Sequence, residues 1–565
     1  MPVTEVEPSV DRHFATAKAL QAKGRLAEAA QEWVEGLKID PRNQSAYLSL
    51  ADALLELKLF QPASIVCRQA LMIAPQSAAA YDRLGRAMEG LGDRVQAISH
   101  YTESLKFSPG NQAVSHRLAA AFRTEGRLGS ARDVLQSVCD ANFRDAGSRF
   151  LLAGVLADMG LEEDAIRHLR KAISHQPRFP EALNNLSLLL RASGQTRDAE
   201  VHLRKALALR PNYAAAWNNL GNLCVELCHI GEAERCYSTA ISIDPVYAEA
   251  HNNRALISLL QGDFESGWRE YEWRWKQPGA EVRRLPRPEW DGSSIQGRTI
   301  LLHSEQGAGD TIQFIRYARL LYQKGAKVLV HCQESLQALL EGMPELAQVF
   351  TGPTLAPEFD VHAPLMSLPR LFGTSIDSIP VSMPGETPYL RPLPNSTAPQ
   401  NLALCSKFRV GLVWRGNPNH RNDRNRSIPL ELLRDLVDIE GAQFFSLQLG
   451  PAPAEAEWLS SKTIVDLSPD LSNYAVTARC LAELDLLITV DTSVAHLAGA
   501  LGRPVWTLLP VCNDWRWLQD REDTPWYPSM RLFRQKALRN WRPVADRVAS
   551  DLRQEIINSR KPKEK

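Results

Sequence analysis

Small residues recur along the first half of the chain with a 34-residue period. Ala29, Ala63, Ala97, Ala131, Ala165, Ala199, Ala233 and Gly267 form one column. Five residues before each stands a second column, Gly24, Gly92, Gly126, Gly160, Gly194 and Gly262, with Lys58 and Cys228 in the two remaining slots. A third column holds Pro41, Pro75, Pro109, Pro177, Pro211 and Pro245, with Phe143 as the exception. Between these columns apolar positions follow the helical period. The pattern predicts pairs of antiparallel helices. Glycine permits the left-handed turn between two helices. The small residue allows the second helix to approach the first. Proline ends the second helix and opens the next unit. About eight such units span 13–280, after a short disordered N-terminus, 1–12.

From Thr299 the period changes. Short apolar runs alternate with amphipathic stretches, as expected for strand–helix–strand units. Strands are expected at Thr299–His303 and Lys327–His331, with a helix at Gln313–Lys324 between them. A second series runs through Val410–Trp414, Phe444–Leu447, Thr463–Asp466, Leu486–Val490 and Val505–Leu509, with helices at Tyr474–Leu484 and Ser493–Leu501. The expected fold is an α-helical solenoid followed by α/β, with two Rossmann-like domains, 299–395 and 405–545, facing a cleft. A Pro-, Gly- and Arg-rich linker, 281–298, joins solenoid to sheet, and a C-terminal helix and tail occupies 546–565.

Composition narrows the partners. Lys plus Arg equal Asp plus Glu at 65 each, and the pI is near 7.2, so bulk charge gives no support for nucleic acid or an anionic membrane. No stretch has transmembrane length or signal-peptide character, and the cytoplasm is the expected location. The nine cysteines are scattered and are expected to be buried, reduced thiols; Cys224 and Cys228 stand four apart on an expected helix, but no second pair stands at zinc spacing.

Four segments of the second half can carry chemistry. Ser304–Asp310 (SEQGAGD) follows a strand and opens a helix. Gly307 and Gly309 would let a ligand approach the backbone at a helix N-terminus, and Asp310 would be a general base or simply a helix cap. Trp414–Ser427 holds Arg415, Arg421, Arg424 and Arg426, whose guanidiniums suit a diphosphate. Asp491, Thr492 and Ser493 cap the helix after the most apolar strand, and His496 lies one turn in. Asp514–Trp517 and Trp526–Pro528 are aromatic and basic and would either cover a base or sugar or pack between domains. Trp268, Tyr271, Trp273 and Trp275 pose a similar choice at the last repeat, between packing and a sugar platform.

The 34-residue unit resembles the tetratricopeptide repeat, with Tyr81, Leu84 and Gly85, and again Trp217, Leu220 and Gly221, on its first-helix signature. That resemblance implies a superhelix whose groove binds protein or peptide. The run Trp217–Gly221 (WNNLG) is similar to repeats of the O-linked N-acetylglucosamine transferases. By that likeness Asn185, Asn219 and Asn253 would form an amide ladder in the groove, or would bond only each other. The Gly-Asp at Gly309–Asp310 and the run Asp491–Val505 resemble the bacterial lipopolysaccharide heptosyltransferase-like enzymes of GT-B type. This resemblance implies an inverting, metal-independent glycosyltransferase. Asp310 would be its base, and Asp491, Thr492, Ser493 and His496 would contact the donor, a nucleotide-diphosphate sugar, with no further cofactor. Arg421, Arg424 or Arg426 would serve as the donor-phosphate cation. The first α/β domain is short, so the repeats would replace its acceptor elements and present a protein acceptor. The alternatives are a non-catalytic scaffold with a degenerate GT-B-like half, or an epimerase acting on a sugar nucleotide.

Overall fold

A computed structural model describes residues 10–281, 283–352, 357–380, 388–394, 398–418, 422–462 and 464–560. The chain forms two compact units, Met1–Asn219 and Leu220–Lys565.

The first unit is helical, from Val10–Ala22 through Thr196–Leu209 and into Ala214–Glu226. The turn column behaves as its chemistry requires. Gly24, Gly92, Gly126, Gly160 and Gly194 all have positive φ, between 73° and 83°, and Lys58 adopts the same conformation at 58°. The signature glycine has a packing role: a Cβ on Gly85 would come within 2.5 Å of the Tyr101 ring. Neighbouring repeats are stitched by ion pairs, Arg83 to Asp52 at 2.6 Å and Arg117 to Asp82 at 2.7 Å.

In the second unit the repeat helices Ile230–Ile243, Ala248–Gln261 and Phe264–Tyr271 run into two parallel sheets. The first sheet contains β1 (Thr299–His303), β2 (Lys327–His331), β3 (Leu346–Phe350) and β4 (Val361–Pro364) in the order β3-β2-β1-β4. The second contains β5 (Phe408–Val413), β6 (Ala442–Ser446), β7 (Val465–Asp466), β8 (Leu486–Val490), β9 (Val505–Leu509) and β10 (Met530–Arg534) in the order β10-β9-β8-β5-β6-β7. β8 and β9 are buried along their whole length, as strands covered on both faces must be. β3, β4 and β10 were not legible in the apolar pattern; β3 has two exposed positions and β4 is only four residues long. The helix expected at Gln313–Lys324 is two, Ala308–Phe314 and Tyr317–Gln323.

The last repeat is part of the α/β core. Trp268 and Tyr271 are buried, and Trp268 meets Phe314 and Trp515 edge-on at 6.0 and 5.1 Å. The segment expected to be a linker also enters that core through Trp290 and Ile295, and Trp290 N–H donates to the His362 carbonyl at 2.7 Å beside β4. The C-terminal helix, Arg542–Ser559, covers the other face of the second sheet with Val544, Val548, Leu552 and Ile556. One expectation is corrected. Cys228 and Cys512 form a disulfide, with Cα atoms 5.6 Å apart, and are not reduced thiols. Cys228 does not share the helix of Cys224, which ends at Glu226; it fills a glycine slot of the turn column at φ 62°, and Cys512 follows β9, a pairing across 284 residues that no sequence spacing reveals. No helix among the described residues is long and apolar enough to cross a membrane.

Candidate functional site

In a parallel sheet every strand-to-helix loop leaves from the same edge. A crevice opens there where the chain order reverses. Both sheets of the second unit reverse, between β1 and β4 in the first and between β5 and β8 in the second. The segments with chemical character lie at these points: Ser304–Asp310 after β1, Trp414–Ser427 after β5, and Asp491–Ser493 after β8. A fourth, Pro510–Trp517, follows β9.

Helix Ala308–Phe314 packs against helix Ser493–Ala500. A Cβ on Gly309 would approach the His496 ring to 3.1 Å and the Ser493 Cα to 3.5 Å. Gly309 therefore permits this contact between helices, in place of the ligand approach expected of it. The Gly307 N–H is occupied too, donating to Asp310 Oδ2 at 2.9 Å.

Asp310 belongs to a partly buried polar cluster built around the buried Arg516. Its Oδ1 accepts from Arg516 Nη2. Arg516 Nη1 donates to Asp514 at 2.8 Å and its Nε to Gln313 Oε1 at 2.6 Å, while the guanidinium lies 4.3 Å over the Trp515 ring. Burial holds the Asp310 carboxyl above the usual carboxylate range, against the pull of Arg516. Burial and the neighbouring Asp514 push Asp491 up to about 6, while Arg426 and Arg516 oppose them. Burial would raise Asp514 as well, but Arg516 outweighs it and keeps that carboxyl below its ordinary value. Residues from the loops after β1, β5, β8 and β9 thus act on one another electrostatically.

The remaining predicted residues divide. Ser493 Oγ accepts from the Tyr474 hydroxyl at 2.7 Å, and Thr492 Oγ1 lies 3.2 Å from Thr489 Oγ1. His496 is buried, its Nδ1 2.9 Å from the Tyr527 hydroxyl, and burial lowers it to about 3, so it is a neutral imidazole. Arg415 is tied to Glu455 at 3.1 Å and to the Gly450 carbonyl at 3.0 Å. Arg426 pairs with Asp423 at 3.2 Å beneath Gly416. Arg424 is exposed, and Arg421 lies outside the described residues. Trp515, Trp517, Trp526 and Tyr527 are all buried, so the aromatic segments pack and do not form an open lid. The asparagines bond one another. Asn219 donates to Asn184 at 2.9 Å, Asn184 to Asn185 at 3.3 Å, and, in the second unit, Asn253 to Asn222 at 3.1 Å.

Two features of this polar cluster escaped the sequence. Arg516 was read as part of an aromatic cover, and its pairing with Asp310 lies 206 residues away. Arg274, after the last repeat, is buried and grips Glu305 at 2.8 Å, next to the post-β1 glycines. The one available signal was an arginine set among tryptophans in each case.

The matches whose positions are fixed lie in the helical half. Tetratricopeptide repeat families match residues 14–78 and 190–257, so these helices form a tetratricopeptide-repeat array followed by an α/β region with parallel sheets. The chain is similar to Protein FlbA of Caulobacter vibrioides, 28% identical over 333 residues that cover 53% of this chain and 54% of that one. It is also similar to tetratricopeptide repeat protein 33 of Mus musculus, 28% identical over 170 residues, 30% of this chain and 63% of that one. The chain thus spans about half the length of the first relative and under two thirds of the second. Among solved structures, a tetratricopeptide repeat protein from Parabacteroides merdae aligns at 16% identity and TM-score 0.37, over 44% of this chain and 98% of that one. The Cut9–Hcn1 hetero-tetramer of the APC/C aligns at 18% identity and TM-score 0.36, over 50% and 55%.

Proposed function

We propose that the chain is a glycosyltransferase of the GT-B kind, moving a sugar from a nucleotide-diphosphate donor to a protein acceptor recruited by the repeats. The observation that carries this reading is the convergence of Asp310, from the first sheet, with Arg516, Asp514, Asp491 and Arg426, from the second, at the carboxyl edges of both. In the proposed reaction the acceptor hydroxyl attacks the anomeric carbon and its proton passes to Asp310. The bond from that carbon to the diphosphate oxygen breaks as the new one forms. Arg426 and the free N–H groups of helix Ser493–Ala500 take up the charge of the departing diphosphate. A raised carboxyl suits a base, because a weaker acid is a better proton acceptor.

The test uses the full chain. Nucleoside diphosphates should raise its melting temperature. Asp310→Asn should keep that shift while lowering turnover by roughly 10²–10⁴-fold, the usual contribution of a general base. Normal turnover in Asp310→Asn would defeat the mechanism. A second reading, a scaffold without turnover, is favoured by the engagement of both Asp310 oxygens, one by Arg516 and one by Gly307. It predicts that Asp310→Asn lowers the melting temperature and that no nucleotide raises it.

A further inference from the structure

We infer that the Cys228–Cys512 bond is a redox latch, opened by a reducing dithiol while the α/β core stays folded. Six of the eight repeat turns carry glycine, and Lys58 fills one of the others. Cys228 fills the last, at φ 62°. Left-handed backbone disfavours any side chain, so a cysteine held there needs a compensating contact. The bond to Cys512 supplies it, with the Cα atoms 5.6 Å apart.

These two sulfurs differ from the rest. Cys67, Cys139, Cys224, Cys236, Cys332 and Cys480 are free and buried. Burial pushes Cys67 and Cys332 up to about 12 and Cys139 and Cys480 up to about 11, so they hold almost no thiolate at neutral pH. Cys228 and Cys512 are both partly exposed. A thiolate from solvent can therefore reach the bond while the buried cysteines stay out of the exchange. It attacks one sulfur, and the other cysteine leaves as a thiolate and takes a proton. The dithiol's second thiol then displaces the first cysteine, which is protonated in turn. Two electrons and two protons pass to the pair, and the dithiol departs as its own disulfide.

The two ends of the latch are held unequally. Cys228 lies in the turn before helix Ile230–Ile243. Among the described residues of that helix, Ile230 alone packs against the core shared with the sheets, whereas the next repeat adds Leu259, Leu260, Phe264, Trp268 and Tyr271. The bond thus joins to the sheets a repeat that lends their core a single side chain. The loop after β9 is anchored by other means. Asn513 Oδ1 accepts from Arg534 at 2.8 Å, Arg516 donates to Gln313 at 2.6 Å, and Trp515 and Trp517 are buried. Opening the bond therefore loosens the seventh repeat and leaves the polar cluster in place. Cys512 Sγ lies 3.3 Å from the Glu226 carbonyl, to which the freed thiol can donate, so the two cysteines stay near enough to rejoin. Asp514 and Arg516 stand two and four residues beyond Cys512. In the oxidised chain a pull on the seventh repeat reaches them through covalent bonds, and reduction cuts that path.

The test uses the full chain, purified without reductant and then treated with dithiothreitol at neutral pH. Exposed thiols are capped with N-ethylmaleimide for mass spectrometry, and amide hydrogen exchange is read in parallel. Before treatment Cys228 and Cys512 should resist the cap. After it both should take the cap, with the six buried cysteines unlabelled. Exchange across 220–243 should then quicken by about tenfold or more, the scale of a lost disulfide restraint, with β1, β2, β8 and β9 unchanged. Reoxidation with oxidised glutathione should restore the slow exchange. Cys228→Gly removes the bond and gives the turn its usual residue, so it should fold and should exchange like reduced wild type with or without dithiothreitol. The latch is overturned if the native bond resists dithiothreitol or if both cysteines are capped before treatment. It is equally overturned if reduction quickens exchange in the sheets, or if Cys228→Gly exchanges like the oxidised chain.

Discussion

The repeats of the first unit and those of the second share one 34-residue register, yet they are held in different ways. In the first unit each repeat leans on its neighbours through small residues and ion pairs such as Arg117 to Asp82. Stability there is a sum of similar local terms. In the second unit the alanine column ends in Gly267, where a Cβ would come within 2.6 Å of Leu259 Cδ2, and the following turn buries Trp268 and Tyr271 against Phe314, Trp515 and Trp526. The same periodic signal therefore marks two kinds of cooperativity. One is nearest-neighbour, and the other joins helix to sheet in a single core. Burying the last repeat also brings Arg274 to Glu305, which gives the solenoid's final turn a place next to the candidate site.

The comparison breaks most readily at Trp268. Trp268→Ala should cost about 3–5 kcal/mol, as truncation of a buried tryptophan does, and should lower the melting of helix and sheets together in calorimetry. If only the repeat melts earlier, the shared core is disproved. Removing the disulfide is the next largest change. Cys512→Ser, or reduction of wild type by dithiothreitol, should lower stability by about 2–4 kcal/mol, measured by denaturant unfolding under matched conditions. An equal midpoint in both states would show that the bridge adds nothing to the second unit.

A smaller effect sharpens the contrast through pH. Asp491 is held up to about 6 from an ordinary 3.8, chiefly by burial and then by Asp514. The fold therefore favours its neutral form, and ionising it costs stability. The melting temperature gained by Asp491→Asn should grow as pH rises from 3.8 toward about 6 and stay level above that. A gain independent of pH would place Asp491 outside the cluster. The smallest effect lies in the first unit. Lys58 occupies a glycine slot at φ 58°, so Lys58→Gly should add about 1 kcal/mol by relieving left-handed strain, with the rest of the array unmoved. A loss of stability in chemical denaturation would mean that the Lys58 side chain matters more than its backbone.

Much of this molecule is written in local chemistry. The repeat turns follow from glycine's freedom at positive φ, and β1, β2, β8 and β9 from short apolar runs, so both were legible residue by residue. Asp310, Asp491 and the arginine loop were legible as loops after strands, because a strand–turn–helix junction leaves unsatisfied N–H groups wherever it occurs. The edge strands β3, β4 and β10 were harder, since an edge position needs no continuous apolar run. Short-range sterics and hydrogen bonding alone set the repeat register, the parallel α/β class and the identity of the polar loops. The folded molecule adds that Arg516 meets Asp310, that Cys228 meets Cys512, that Gly309 serves His496, and that the last repeat belongs to the sheet core. Those pairings join residues far apart in the chain, and burial in a common core, which no local pattern encodes, is what brings them together.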